Sequence, residues 1–153
     1  MGNRATVVFD IREPGYREQS DALPAVYLHW NGGPESVYGF ADTVYRRFRG
    51  GRPGGDPQAF GARFVQAAAD LFPDGLSVYL TATTRAALRD DPGRIDPGDN
   101  GVYVFGTDGV RRYVTDRWLT PDEVTHEEHA TRDDPKRKEI ADELVPPTPE
   151  GTP

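Results

Sequence analysis

A strand that runs into a glycine-rich turn and then opens a helix gathers free backbone N–H groups and the positive end of a helix dipole at one point, a place suited to phosphate or carboxylate. The stretch His29-Trp30-Asn31-Gly32-Gly33-Pro34-Glu35-Ser36 has that form. Gly32 and Gly33 permit close approach to the main chain, Asn31 and Ser36 add side-chain hydrogen bonds, and the Trp30 indole beside His29 can stack on a base or sugar. The same residues also read as plain structure: Asn31-Gly32 as a tight turn, Pro34 as a first helical residue, Trp30 as core and His29 as a half-exposed strand residue. Neither the phosphate loop ending in Gly-Lys-Ser/Thr nor the dinucleotide fingerprint of three spaced glycines is present. The expectation is a nucleotide-like or other anionic ligand held by His29, Trp30, Asn31, Gly32, Gly33 and Ser36.

The other constellations are weaker. His126-Glu127-Glu128-His129 spaces its histidines three apart, whereas the zincin pattern needs four with glutamate just after the first, so a solvated charged face is expected and no metal site. Asp90, Asp91, Asp96 and Asp99 lack the regular alternation of a calcium loop. For acid–base chemistry His29 is the one histidine before the tail, with Asp10, Glu35 and Asp99 as candidate partners. Ser36 lacks the Gly-x-Ser-x-Gly frame of a nucleophile elbow. No cofactor is implied, and no catalytic residue is assigned.

These residues need elements to position them. The runs "ATVVFDI" (5–11) and "PAVYLHW" (24–30) read as two strands of a hairpin, the second alternating Val26, Leu28 and Trp30 against Tyr27 and His29. In 34–51, Val37, Phe40, Ala41, Val44 and Phe48 fall on one helical face, with Gly33 at the cap, Pro34 at the first position and Gly50-Gly51 at the end. A second helix starts at Asp56-Pro57, carries Phe60, Phe64, Ala68, Leu71 and Phe72, and stops at Pro73-Asp74-Gly75. Three strands follow, 76–82, 101–106 and 110–118, the last two joined by a short loop at Thr107-Asp108-Gly109, with a helical turn at 86–89 between the first two. The order ββααβββ implies an α+β two-layer sandwich: a mainly antiparallel sheet of about five strands with a helical hairpin on one face.

Domain limits follow from composition and charge. Residues 1–119 form the domain, a short helix at 120–130 starts from the capping box of Thr120, Pro121 and Glu123, and 131–153 is too polar and proline-rich to order itself. The net charge of -7 belongs to the tail, since 120–153 holds ten acidic residues against four basic, while 1–119 holds fifteen against fourteen. That balance argues against a DNA mimic and against binding of nucleic-acid duplex. With no cysteine, disulfides, thiolate nucleophiles and Cys-based metal sites are excluded. No run is apolar enough to span a bilayer and Met1–Asp10 lacks signal-peptide features, so a cytoplasmic protein without membrane contact is expected.

"MGNRATVVF", "VYLHWNGGPESVYGF" and "DNGVYV" resemble a group of small uncharacterised proteins of bacterial chromosomes, plasmids and phages that share an MGNRA-type start and a YLHWNGG-type centre. The resemblance covers most of 1–118 and no part of the tail, and it carries no catalytic residue. It implies a mobile-element setting, in which small proteins modulate host defence by binding a nucleotide signal or an effector protein. Three functions therefore stand in order: a small ligand-binding protein, a protein-interaction module or inhibitor using exposed aromatics such as Tyr38 and Tyr45 or the acidic tail, and a hydrolase using His29.

Overall fold

The computed structural model describes residues 3–12, 21–47, 56–71 and 77–144. The fold is α+β, with one open six-stranded sheet of order β3-β2-β1-β4-β5-β6. Its strands are β1 (Ala5–Asp10), β2 (Ala22–Leu28), β3 (Val78–Thr84), β4 (Val102–Gly106), β5 (Gly109–Val114) and β6 (Arg117–Trp118). All neighbours are antiparallel except β1 and β4, which run parallel at the centre. Those two strands are buried on both faces, which explains why "ATVVF" and "VYVF" are continuous apolar runs and do not alternate. The β1–β2 ladder stops at Val8↔Ala25, one step before Pro24, whose ring nitrogen has no hydrogen to donate.

One face carries α1 (Pro34–Arg47), α2 (Pro57–Leu71) and α5 (Pro135–Leu144). Val7, Phe9, Val26, Leu28, Tyr103 and Phe105 of the sheet meet Val37, Phe40, Ala41, Val44, Phe60, Phe64 and Ala68 there. The Phe9 ring lies 5.3 Å from Phe64 and 5.8 Å from Phe60, and each such buried ring contributes about 1.5–3 kcal/mol. The helical faces are therefore the expected ones; Phe48, Phe72, Gly50-Gly51 and Pro73-Asp74-Gly75 lie outside the described residues. The opposite face is also covered: Val8, Leu23, Ala25, Val102, Val104 and Tyr113 pack with Leu88 of α3 (Arg85–Asp90) and with Ile95 at the end of a short 3-10 helix, Pro92–Ile95.

Two expectations are corrected, the single strand over 110–118 and the unordered tail from 131. The strand read over 110–118 folds back on itself, because Thr115 and Asp116 take φ of 55° and 61°, the left-handed pair that a two-residue hairpin turn requires, giving β5 and β6 separately. The sheet thus has six strands where about five were expected. Residues 135–144 of the polar tail form α5 against α1, burying Ile140 and Ala141. Polar contacts join in: buried Arg137 pairs with Asp42 at 2.7 Å and with Glu128 at 2.9 Å. Gly39 in mid-α1 permits the approach, since a Cβ there would lie 3.2 Å from Ile140 Cβ and 3.3 Å from the Arg137 carbonyl. Residues 145–153 lie outside the described set. The helix expected at 120–130 is α4 (Pro121–Thr131), with both hydrogen bonds of the Thr120–Glu123 capping box in place.

Candidate functional site

The segment 29–36 lies at the amino end of β1, and the chain itself uses most of its groups. The Gly32 N–H donates to the Asn3 carbonyl at 2.7 Å, and the Gly32 carbonyl accepts from the buried Tyr103 hydroxyl at 2.8 Å. A Cβ on Gly32 would stand 2.7 Å from the backbone of Arg4 and Ala5, so this glycine serves close packing of chain on chain. Gly33 accepts from the N–H groups of Ser36 and Val37, as a helix cap does. The Glu35 carboxylate folds back over it, with Oε1 2.6 Å from where a Gly33 Cβ would sit. The helix therefore carries its own anion at its amino end.

The remaining expected site residues divide between the turn and an exposed aromatic row. Asn31, in the left-handed region at φ 59°, accepts from Lys136 Nζ at 2.6 Å and from the fully buried Ser36 Oγ at 3.5 Å. Lys136 comes from α5, a partner that no reading of 29–36 alone reveals. β2 ends at Leu28, so the alternation that placed Trp30 in the core breaks and its side chain is 45% exposed. The Trp30 ring stands perpendicular to His29, and His29 Nδ1 is 3.1 Å from the Tyr27 hydroxyl. No carboxylate joins this pair among the described residues. Asp10 is held by Arg12 and Arg85, Asp99 by Arg4, and Glu35 lies over Gly33.

The carboxyl end of β1 has the opposite character. β1 and β4 run parallel to this point, and the chain leaves them for neighbours on opposite sides, β2 and β5. A crevice opens at the carboxyl ends of strands whose connections diverge in this way. Here it is a cleft of about 700 Å³ lined by Asp10, Arg12, the β4–β5 turn Gly106–Gly109, Val110, Arg111, Trp118, Leu119, Pro121 and Val124. Its size suits a metabolite. The Arg111 guanidinium lies over the Trp118 indole at 5.0 Å. Arg12 and Arg85 share one carboxylate oxygen of Asp10, each at 2.9 Å, so the lining sets Arg12 and Arg111 against Asp10 and Asp108.

A smaller cavity of about 310 Å³ adjoins the cleft, sharing Asp108, Gly109, Val110, Pro121 and Val124 with it and adding Tyr38, Thr125, Glu128, His129 and Arg132. Tyr38 is 3% exposed, against its expected role as an exposed aromatic, and its hydroxyl has no hydrogen-bond partner among the described residues. Burial raises its pKa, so it remains a neutral phenol. Tyr45 is half exposed. α4 roofs this region because Arg112, buried over the Tyr103 ring at 3.6 Å, binds Glu127 at 2.7 Å. Of the weaker motifs, His126 is exposed, His129 lines the small cavity, and Asp90 pairs with its neighbour Arg89. Among the described residues no cluster of three or more His, Asp or Glu is placed to hold a metal, and no helix is long and apolar enough to cross a membrane.

Sequence reasoning missed the cleft because its walls come from four separate strands and the start of α4. The signals present were the Thr107-Asp108-Gly109 turn and the Arg111–Trp118 spacing across a second turn. The chain matches no protein-family model, no curated protein and no solved structure.

Proposed function

We propose that this protein binds a small anionic, nucleotide-like molecule in the cleft at the carboxyl ends of β1 and β4. The ligand class is the one expected from the sequence, but the place is the opposite end of β1 from the glycine turn. The observation that carries the reading is the Arg111–Trp118 pair on the wall of a metabolite-sized cleft. Trp118 offers a face for a planar group, Arg111 offers a guanidinium group for a phosphate or carboxylate, and Asp108 can accept hydrogen bonds from ligand hydroxyls. The unpartnered Tyr38 hydroxyl beneath the adjoining cavity is a further donor. A hydrolase centred on His29 has less support, because its ring pairs with Tyr27 and with no acid.

The test is a thermal-shift screen of the full chain against nucleoside phosphates, cyclic dinucleotides and sugar phosphates, with inorganic phosphate as the charge-only control. A ligand at 100 times its Kd adds about 2.7 kcal/mol to the folded state. The expected result is a shift retained by Gly33→Asp and lost by Arg111→Glu. Loss with Gly33→Asp and retention with Arg111→Glu returns the site to the turn. A screen with no shift overturns the small-ligand reading.

A further inference from the structure

The sheet ends at β6 on one side and at β3 on the other, and β3 carries none of the features that keep an edge from pairing. It is seven residues long, VYLTATT, with no charge, no proline and an unbroken register against β2 from Val78 to Thr84. Leu80 is 81% exposed and Tyr79 50%. No strand lies on the outer side of β3 among the described residues. We infer that two copies of this chain join through β3, antiparallel about a twofold axis at Thr81, into one continuous sheet.

The hydrogen-bond phase fixes the register. The His29 N–H donates to the Ser77 carbonyl at 2.9 Å, and these two residues lie directly opposite in the β2–β3 register. In an antiparallel ladder bonded and non-bonded pairs alternate, so Tyr79, Thr81 and Thr83 turn their backbone groups toward β2. Val78, Leu80, Ala82 and Thr84 turn theirs outward. A twofold axis at Thr81 sets Leu80 against Ala82 of the second copy, whose outward N–H and C=O groups meet in bonded pairs, and Val78 against Thr84, which as the cap of α3 offers its N–H but not its carbonyl.

The side chains fit the same axis. Large residues, Tyr79 and Leu80, occupy the first half of the strand and small ones, Ala82 and Thr83, the second half, so the antiparallel copy sets Tyr79 against Thr83 and Leu80 against Ala82. Across a twofold axis any charge near the centre faces its own image, and this strand has none. These two properties favour a second copy over a foreign strand, which would need neither.

Analytical ultracentrifugation of the full chain over a concentration series tests the inference. The parent is expected to sediment as a dimer of 16.9 kDa chains. Leu80→Lys places a charge near its image and is expected to weaken association on the order of 100-fold. Its melting temperature, read where both proteins are monomeric, stays unchanged because Leu80 is exposed. Thr81→Cys supplies the only thiol in the chain and, under oxidation, is expected to form a disulfide-linked dimer, while Asp116→Cys at the other edge does not. A parent monomeric at hundreds of micromolar, a dimer indifferent to Leu80→Lys, or equal cross-linking at both cysteines overturns the proposal. A dimer that Leu80→Lys breaks without any Thr81→Cys cross-link overturns the register.

Discussion

The two ends of β1 make opposite uses of similar chemistry. At its amino end, a turn of glycines and a helix start gather N–H donors, but Asn3, Tyr103, Glu35 and Lys136 engage or cover that turn. At its carboxyl end, nothing in the local sequence announces a site, yet diverging strands leave a cleft edged by guanidinium groups and an indole. Donor groups in a motif bind a ligand only where the fold leaves them unspent, and backbone groups at a buried turn are spent within the chain because leaving them unpaired is costly.

Changes at the amino end should therefore act on stability and changes at the carboxyl end on binding. The largest effect is expected for a chain ending at Thr131, which loses Lys136 from the turn, Ile140 from the core and Arg137 from beside Asp42 and Glu128. Re-exposing Ile140 alone forfeits about 1.5–3 kcal/mol and the pairs of Arg137 with Asp42 and Glu128 go with it, so the melting temperature in calorimetry should fall by about 5–15 °C or the protein should fail to fold cooperatively. Unchanged melting would mean that α5 does not close the turn.

Gly32→Ala comes next. Its Cβ would press on the backbone of Arg4 and Ala5, and overpacking of this kind costs about 1–3 kcal/mol, to be read as a lower denaturation midpoint in urea. Arg111→Glu sharpens the contrast from the other side: as an exposed residue it should shift stability by less than about 0.5 kcal/mol in the same titration. A large loss there would make Arg111 a structural residue and weaken the cleft's claim.

The smallest effect concerns pH. Hydrogen bonds from Arg117, then from the Thr120 N–H, lower the Glu123 carboxyl to about 2 from an ordinary 4.5. A depressed folded-state pKa means that this group's support for α4 is complete above about pH 4.5 and is lost as the pH falls toward about 2. Glu123→Gln should accordingly melt with a shallower acid dependence through that window than the parent, measured by circular dichroism. Identical slopes would remove Glu123 from the account of how the cleft's α4 wall is held.

Local patterns were legible without the fold. Val37, Phe40, Ala41 and Val44 mark α1's buried face by spacing alone, Thr120 and Glu123 mark the start of α4, and Thr107-Asp108 mark a hairpin. Each depends on residues within a turn or two of one another, where backbone geometry sets the contacts. Trp30 misled because alternation continues in the sequence past Leu28, where the strand stops. α5 was illegible because it is held by partners 95 and 105 residues away, Arg137 on Asp42 and Lys136 on Asn31, and isolated it has too small an apolar face to order itself.

What the sequence by itself determined is the α+β class, the order of its main elements and the β4–β5 turn, because periodicity and caps are short-range properties. Only the tertiary structure decided that β1 and β4 lie parallel at the centre, that α5 and Glu35 close the glycine turn, and that Arg12, Arg111 and Trp118 border one cleft. Those are meetings of residues far apart in the chain, set by which faces must be buried together, and no local pattern encodes them.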